Sequence, residues 1–189
     1  MPESGPTQDQ RDRVRSYLVS QAEKKAFAEL RPVVEEARAA LLAEANGITE
    51  EQSRFKPALS SVEGPAGGEG EDAWGIAEVL RHCIQNEESV ALRIRALALG
   101  DSARGGSTGR VVGRTNATIA ELVRDLQAAN FALDHSVGSV EGKEKLDTTA
   151  PHPFFGELNC RAWFLFQRVH DLDHARQIQK IKTEPGYPK

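Results

Sequence analysis

Four long stretches of this chain place their apolar residues at helical spacing, and no stretch alternates convincingly like a strand. Amphipathic helices of that length must bury their apolar stripes against one another, so the expected architecture is all-α, a four-helix bundle. From about Gln10 to Ala45 the chain is rich in Ala, Glu, Lys, Arg and Leu, all good helix formers. Pro32 interrupts this stretch, which predicts either one kinked helix or a short leading helix followed by a main one starting near Pro32. Asn46-Gly47 reads as the stop. A second helix is predicted over 74–100, with Gly75 as N-cap, Trp74 and Val79 at the positions of a hydrophobic staple, and Glu78 at the capping-box position. The third runs from Thr115 or Asn116 to near Ser136, and the fourth over 156–182.

The connections EGPAGGEGED (63–72), DSARGGSTGRVVGR (101–114) and 137–155 are read as loops, and the polar residues 1–10 as lacking regular structure. The expected organisation is a polar extension over 1–20, one bundle domain over 21–183 and a tail over 184–189, with no internal repeat.

Composition narrows the functional classes. The 189 residues carry a net charge of −4 and no basic run, so nucleic acid is not an expected partner. The longest apolar runs, such as WFLF at 163–166, are far too short to span a bilayer. The opening MPESGPTQDQ lacks the charged-then-apolar order of a secretory signal, which gives a cytoplasmic expectation. Cys83 and Cys160 form neither a CxxC pair nor a disulfide framework and are read as small buried hydrophobes.

The fourth helix contains VHDLDHARQI, residues 169–178. With His170 at zero on a helical wheel, Trp163 and Ile181 lie near about +20°, Phe166 near about −40°, His174 near about +40° and Gln177 near about −20°. The two histidines therefore sit within the apolar stripe and point inward. Two buried imidazoles need partners, because an unpaired buried polar group costs about 1–3 kcal/mol. A shared metal ion would supply them, and so would hydrogen bonds to Asp173 or Gln177; helix position alone leaves both open. A third ligand would come from another helix. His82 is the best candidate: about two turns into the second helix, it reaches the depth of His170 and His174 if the two helices are antiparallel. Asn86 lies one turn on. Glu87 falls inside the apolar arc of the same helix, which predicts either an ion pair to a neighbouring helix or a place around the site. Asp171 is expected to orient a neighbour or face another helix, and Asp173 to accept from a ligand ring. His135 and His152 read as surface residues, His152 with the option of approaching the site mouth.

Three segments in order resemble the DinB-like superfamily of metal-binding four-helix bundles. They are ARAALLAEANGITEEQSRFKPA (37–58), WGIAEVLRHCIQNEE (74–88) and HPFFGELNCRAWFLFQRVHDLDHARQI (152–178). Gly75 stands where the family usually has a capping serine, and the Gly-rich loop is long. The resemblance implies an up-down-down-up bundle, a divalent ion held by one histidine of the second helix and two of the fourth, here His82, His170 and His174, and possible homodimers. Three neutral imidazoles leave open positions on Zn²⁺, Ni²⁺ or Fe²⁺, the mark of a catalytic site. Such a site serves hydrolysis of a small molecule by activated water. It also serves transfer or isomerisation through a low-molecular-weight thiol, the chemistry the resemblance implies most often. The candidate acid–base residues are Glu87 and Asn86. The alternative is a non-enzymatic bundle that binds a metal or a partner.

Overall fold

The computed structural model describes residues 7–57, 73–102 and 114–189. The loop expected at 63–72 and most of the one expected at 101–114 lie outside the described residues.

Most helices start where a side chain can serve the unpaired backbone N–H groups of a first turn. Thr7 and Gln10 cap α1 (Gln8–Lys24) reciprocally, so a helix begins inside the polar stretch expected to lack one. Helix α2 (Phe27–Ala45) starts with the Glu29 carboxylate accepting from the Ala26 N–H at 3.0 Å. The chain thus breaks at Lys25–Ala26, before Pro32 and not at it. Pro32 sits inside α2, where its ring removes one intrahelical bond, from the Ala28 carbonyl, and the helix continues. A short α3 (Glu50–Arg54) is capped by Thr49 and Gln52. In α4 (Ile76–Ala98) Gly75 is the N-cap and the Glu78 carboxylate accepts its N–H at 2.8 Å, as the sequence predicts. Thr118 and Glu121 cap α5 (Ile119–Val140), which starts later than expected and runs past Ser136 because Val137 and Val140 are buried.

Where the sequence shows no strand, Thr149–His152 (β1) pairs antiparallel with Gly156–Asn159 (β2), Ala150 opposite Leu158. Strands of four residues, one carrying Pro151, are too short for periodicity to reveal. The hairpin delays α6 (Cys160–Lys182), whose first turn is capped by the Asn159 side chain accepting from the Ala162 N–H at 3.0 Å.

Contacts fix the helix directions. Phe27 meets Phe164 where α2 and α6 begin, and Glu44 pairs with Lys182 where they end, so these helices are parallel. His82, early in α4, meets His174, late in α6, so α4 opposes α6. Arg38 pairs with Asp134 while Arg31, earlier in α2, pairs with Glu141, the residue that caps the end of α5, so α5 also opposes α2. The bundle of α2, α4, α5 and α6 is therefore up-down-down-up. Helix α1 packs Leu18 and Ala22 into the core, and the expected border at residue 20 falls inside it. No helix among the described residues is long and apolar enough to cross a membrane.

The core forms two apolar clusters. One joins the start of α2, the end of α4 and the start of α6, with Phe27, Ile94 and Trp163 among its members. The other joins the opposite helix halves, with Leu41, Leu80 and Ile178. Between them lies a layer of buried polar side chains: Arg38, Glu87, Gln167, His170, Asp171 and His174. The α3–α4 junction is tight: a Cβ on Gly75 would stand 2.5 Å from the Phe55 carbonyl oxygen and 3.2 Å from that of Ser53.

Candidate metal centre

The i, i+4 spacing on α6 and the opposed direction of α4 bring His170, His174 and His82 together. Their ring centroids are 5.0 Å (His82–His170), 4.8 Å (His82–His174) and 4.4 Å (His170–His174) apart. One ligand nitrogen from each lies within 4.8 Å of the others, and the Nε2 atoms of His82 and His170 are 3.0 Å apart. Imidazole nitrogens about 2.1 Å from a common ion stand about 3 to 3.4 Å apart, so this pair already has a shared-ligand separation.

On α6 the other ring nitrogens of the two histidines are held from behind. His174 Nδ1 faces Gln177 Oε1 at 2.8 Å, and His170 Nδ1 faces the Asp171 carboxylate at 3.4 Å. Both partners are acceptors, so each ring donates its Nδ1–H and turns the Nε2 lone pair inward. The result is diagnostic: His174 Nε2 is buried with no hydrogen-bond partner. Burial, then the neighbouring His174 ring, lowers His82 to about 3. Burial, then His170, lowers His174 to about 3, and burial with His82 holds His170 well below its ordinary value. Three imidazoles kept neutral by burial, with their ring nitrogens converging, are a donor set for a borderline divalent ion.

The other residues singled out by sequence divide. Glu87 is fully buried in an ion pair with Arg38 of α2, Nη2 to Oε2 at 3.1 Å, and Arg38 also holds Asp134 of α5 at 2.7 Å. Of the two expectations for Glu87, the inter-helix pair is realised. Burial first and the Asp171 carboxylate second push Glu87 up to about 7, against the pull of Arg38. Burial likewise pushes Asp171 to about 7, again opposed by Arg38. Asn86 Nδ2 donates to Gln167 Oε1 at 2.8 Å, tying α4 to α6 one turn from the triad. Asp171 lies behind the His170 ring and orients it, the neighbour-orienting role the sequence predicts for this carboxylate.

His135 is exposed, as expected. His152 is not: it is 6% exposed, stacked on Phe155 at 4.7 Å and beside Phe166 and Trp163 at 4.5 and 5.0 Å. The hairpin that folds it inward is the element periodicity missed. Arg38 also escaped notice, although it interrupts the apolar face of Val34, Ala37 and Leu41 on α2 much as Glu87 interrupts that of α4. Cys83 and Cys160 are buried and form no disulfide, as read.

A family model described as the DinB superfamily matches residues 34–178, a span that holds all three histidines. The crystal structure of TT2238, described as a four-helix bundle protein, superposes with a TM-score of 0.54 at 27% identity. That match covers 80% of this chain and 97% of the other. No curated protein matches.

Proposed function

This chain belongs to the DinB superfamily, and on that premise we propose that it is a metal-dependent enzyme. His82, His170 and His174 hold one divalent ion, zinc, nickel or iron, and a small molecule reacts at its open positions. The observation that carries this reading is the partnerless, buried Nε2 of His174, pointed at two further ring nitrogens. A core histidine pair satisfied by hydrogen bonds would not leave that acceptor orphaned.

An ion on three neutral imidazoles supplies Lewis-acid activation of a thiol or a water molecule. The chain's own residues prepare the site. Burial keeps the three rings unprotonated, Gln177 and Asp171 fix the tautomers of His174 and His170, and the Asn86–Gln167 bond holds α4 against α6 beside them. Thiol-dependent transfer or isomerisation is the preferred reaction class and hydrolysis the second. The reason is the engagement of the nearby carboxylates: Glu87 is paired with Arg38 and Asp171 lies against His170, while a hydrolase needs a general base free to take a proton. A thiol bound as thiolate needs no such base. A cytoplasmic setting and a homodimer belong to the same reading.

The test is metal content by plasma mass spectrometry on untagged protein, beside His170→Ala and His174→Ala variants. An ion per chain in the wild type, lost in both variants, supports the reading and justifies pairing thiols with electrophiles before esters. A folded wild type that takes up neither Zn²⁺ nor Ni²⁺ leaves a partner-binding bundle. Marked unfolding on metal removal favours a structural ion.

A further inference from the structure

The triad is one end of a longer polar seam between α4 and α6. At about 100° per residue, His82, Asn86 and Arg93 fall within about 40° of one another on α4. The facing stripe of α6 carries His170, Gln167 and Trp163. The antiparallel helices match these in order: His82 with His170 at 3.0 Å, Asn86 with Gln167 at 2.8 Å, and the Arg93 guanidinium over the Trp163 ring at 3.9 Å.

Arg93 is the anomaly. It is only 3% exposed, yet among the described residues its guanidinium makes no ion pair and no hydrogen bond, and its Nε is buried without a partner. Burial alone lowers its affinity for its proton, with no carboxylate acting against it. An indole face offsets part of the cost of burying a cation but leaves the in-plane N–H fork unused. A second unused donor lies close by. The His152 ring is 5.0 Å from that of Trp163, and its Nδ1 accepts the Phe154 N–H at 3.2 Å. The ring proton of neutral His152 therefore resides on Nε2, for which the described residues provide no acceptor.

We propose that Arg93, with His152, is an anion subsite that binds a carboxylate or phosphate on the molecule whose reactive group sits at the triad. The planar fork suits either group bidentately. Arg93 lies eleven residues beyond His82, about 16 Å of helix rise, and a helical side chain leans back toward the N-terminus. The ligand's anion thus lies on the order of 10 Å from its reacting atom. This inference rests on the metal-enzyme reading for what occupies the other end of the seam. The anion subsite itself does not need the metal.

The experiment is isothermal titration calorimetry of the metal-free full-length protein with succinate and, separately, with inorganic phosphate. Wild type should bind at least one of the two, and the stronger heat identifies the class. Arg93→Met should weaken binding at least tenfold, Arg93→Lys by less, and replacement of the exposed His135 (His135→Ala) should leave it unchanged. Should Arg93→Met fail to give a folded circular-dichroism spectrum, a loss of threefold or more in Arg93→Lys carries the test. No binding of either anion by the wild type, or equal binding by the folded Arg93 variant, overturns the subsite. Anion binding in a protein that takes up no metal overturns the metal-enzyme reading and the spanning ligand, and leaves the subsite standing.

Discussion

Two buried arginines divide this bundle between them. Arg38 and Arg93 are 4% and 3% exposed, and each reaches from one helix toward others. Arg38 stands in the polar layer between the apolar clusters, shared by Glu87 and Asp134 and felt by Asp171. Arg93 stands at the end of the α4–α6 seam over an aromatic face and, among the described residues, makes no ion pair. Identical side chains, similarly buried, therefore carry opposite energetic meanings. The first neutralises charges already inside the protein and cannot be spared. The second has no counter-charge among the described residues, so the fold should lose little when it is removed.

Removing the first arginine should produce the largest effect. Arg38→Met leaves Glu87 and Asp171 buried without their cation, for which a loss of about 3–5 kcal/mol is expected. Urea denaturation of the metal-free protein at neutral pH measures it, and a loss below about 1 kcal/mol would erase the distinction between the two arginines.

Acidification ranks next, because it charges what surrounds them. Burial holds His82, His152 and His174 at about 3 and His170 well below its ordinary value. Their neutral forms are favoured by folding, so the stability they contribute is complete above about 6.5 and is lost as the pH falls toward 3. Glu87 and Asp171, raised to about 7, act oppositely: their contribution is complete in the acid range and is lost as the pH rises through 7. Four imidazoles outweigh two carboxylates, so the melting temperature of the chelated protein should fall between pH 6.5 and 4.5. A flat or rising profile would mean that the histidines are less buried than the arginine comparison assumes.

Glu87→Gln should cost about 1–3 kcal/mol, since Arg38 keeps Asp134. The same variant decides whether Glu87 takes part in chemistry: unchanged turnover with unchanged metal content would confine it to structure. The smallest effect is expected at the second arginine. Arg93→Met should leave stability within about 1 kcal/mol of the wild type or raise it. A loss as large as that of Arg38→Met would expose a partner the fold depends on.

The contrast also marks what the sequence could and could not disclose. Spacing along single helices was legible: the i, i+4 histidines, the Gly75–Glu78 start of α4 and the inward face of α6 follow from 3.6-residue geometry. Depth matching brought in His82 because the bundle makes α4 and α6 antiparallel. Relations between distant segments were not legible. Glu87 stood out as a carboxylate in an apolar arc, but its cation lies in another helix, and nothing in either local pattern pairs them. His152 was misplaced because a strand of four residues has no period to report which side faces in. Arg93 shares a face with His82, yet its lack of an ion pair among the described residues becomes visible only once the helices around it are in place.

Gly75 has a consequence for how this chain can change by mutation. Any side chain there drives a Cβ into the carbonyl oxygens of Phe55 and Ser53, backbone atoms that cannot swing aside. A serine, a better helix cap in isolation, is therefore admissible only after the 53–55 turn has shifted. The order of substitutions matters, and a swap of α4 from a relative would have to bring its own preceding turn. The segment that opens the helix carrying His82 and the turn against it are heritable as a unit, and replacing either alone should fail where replacing both succeeds.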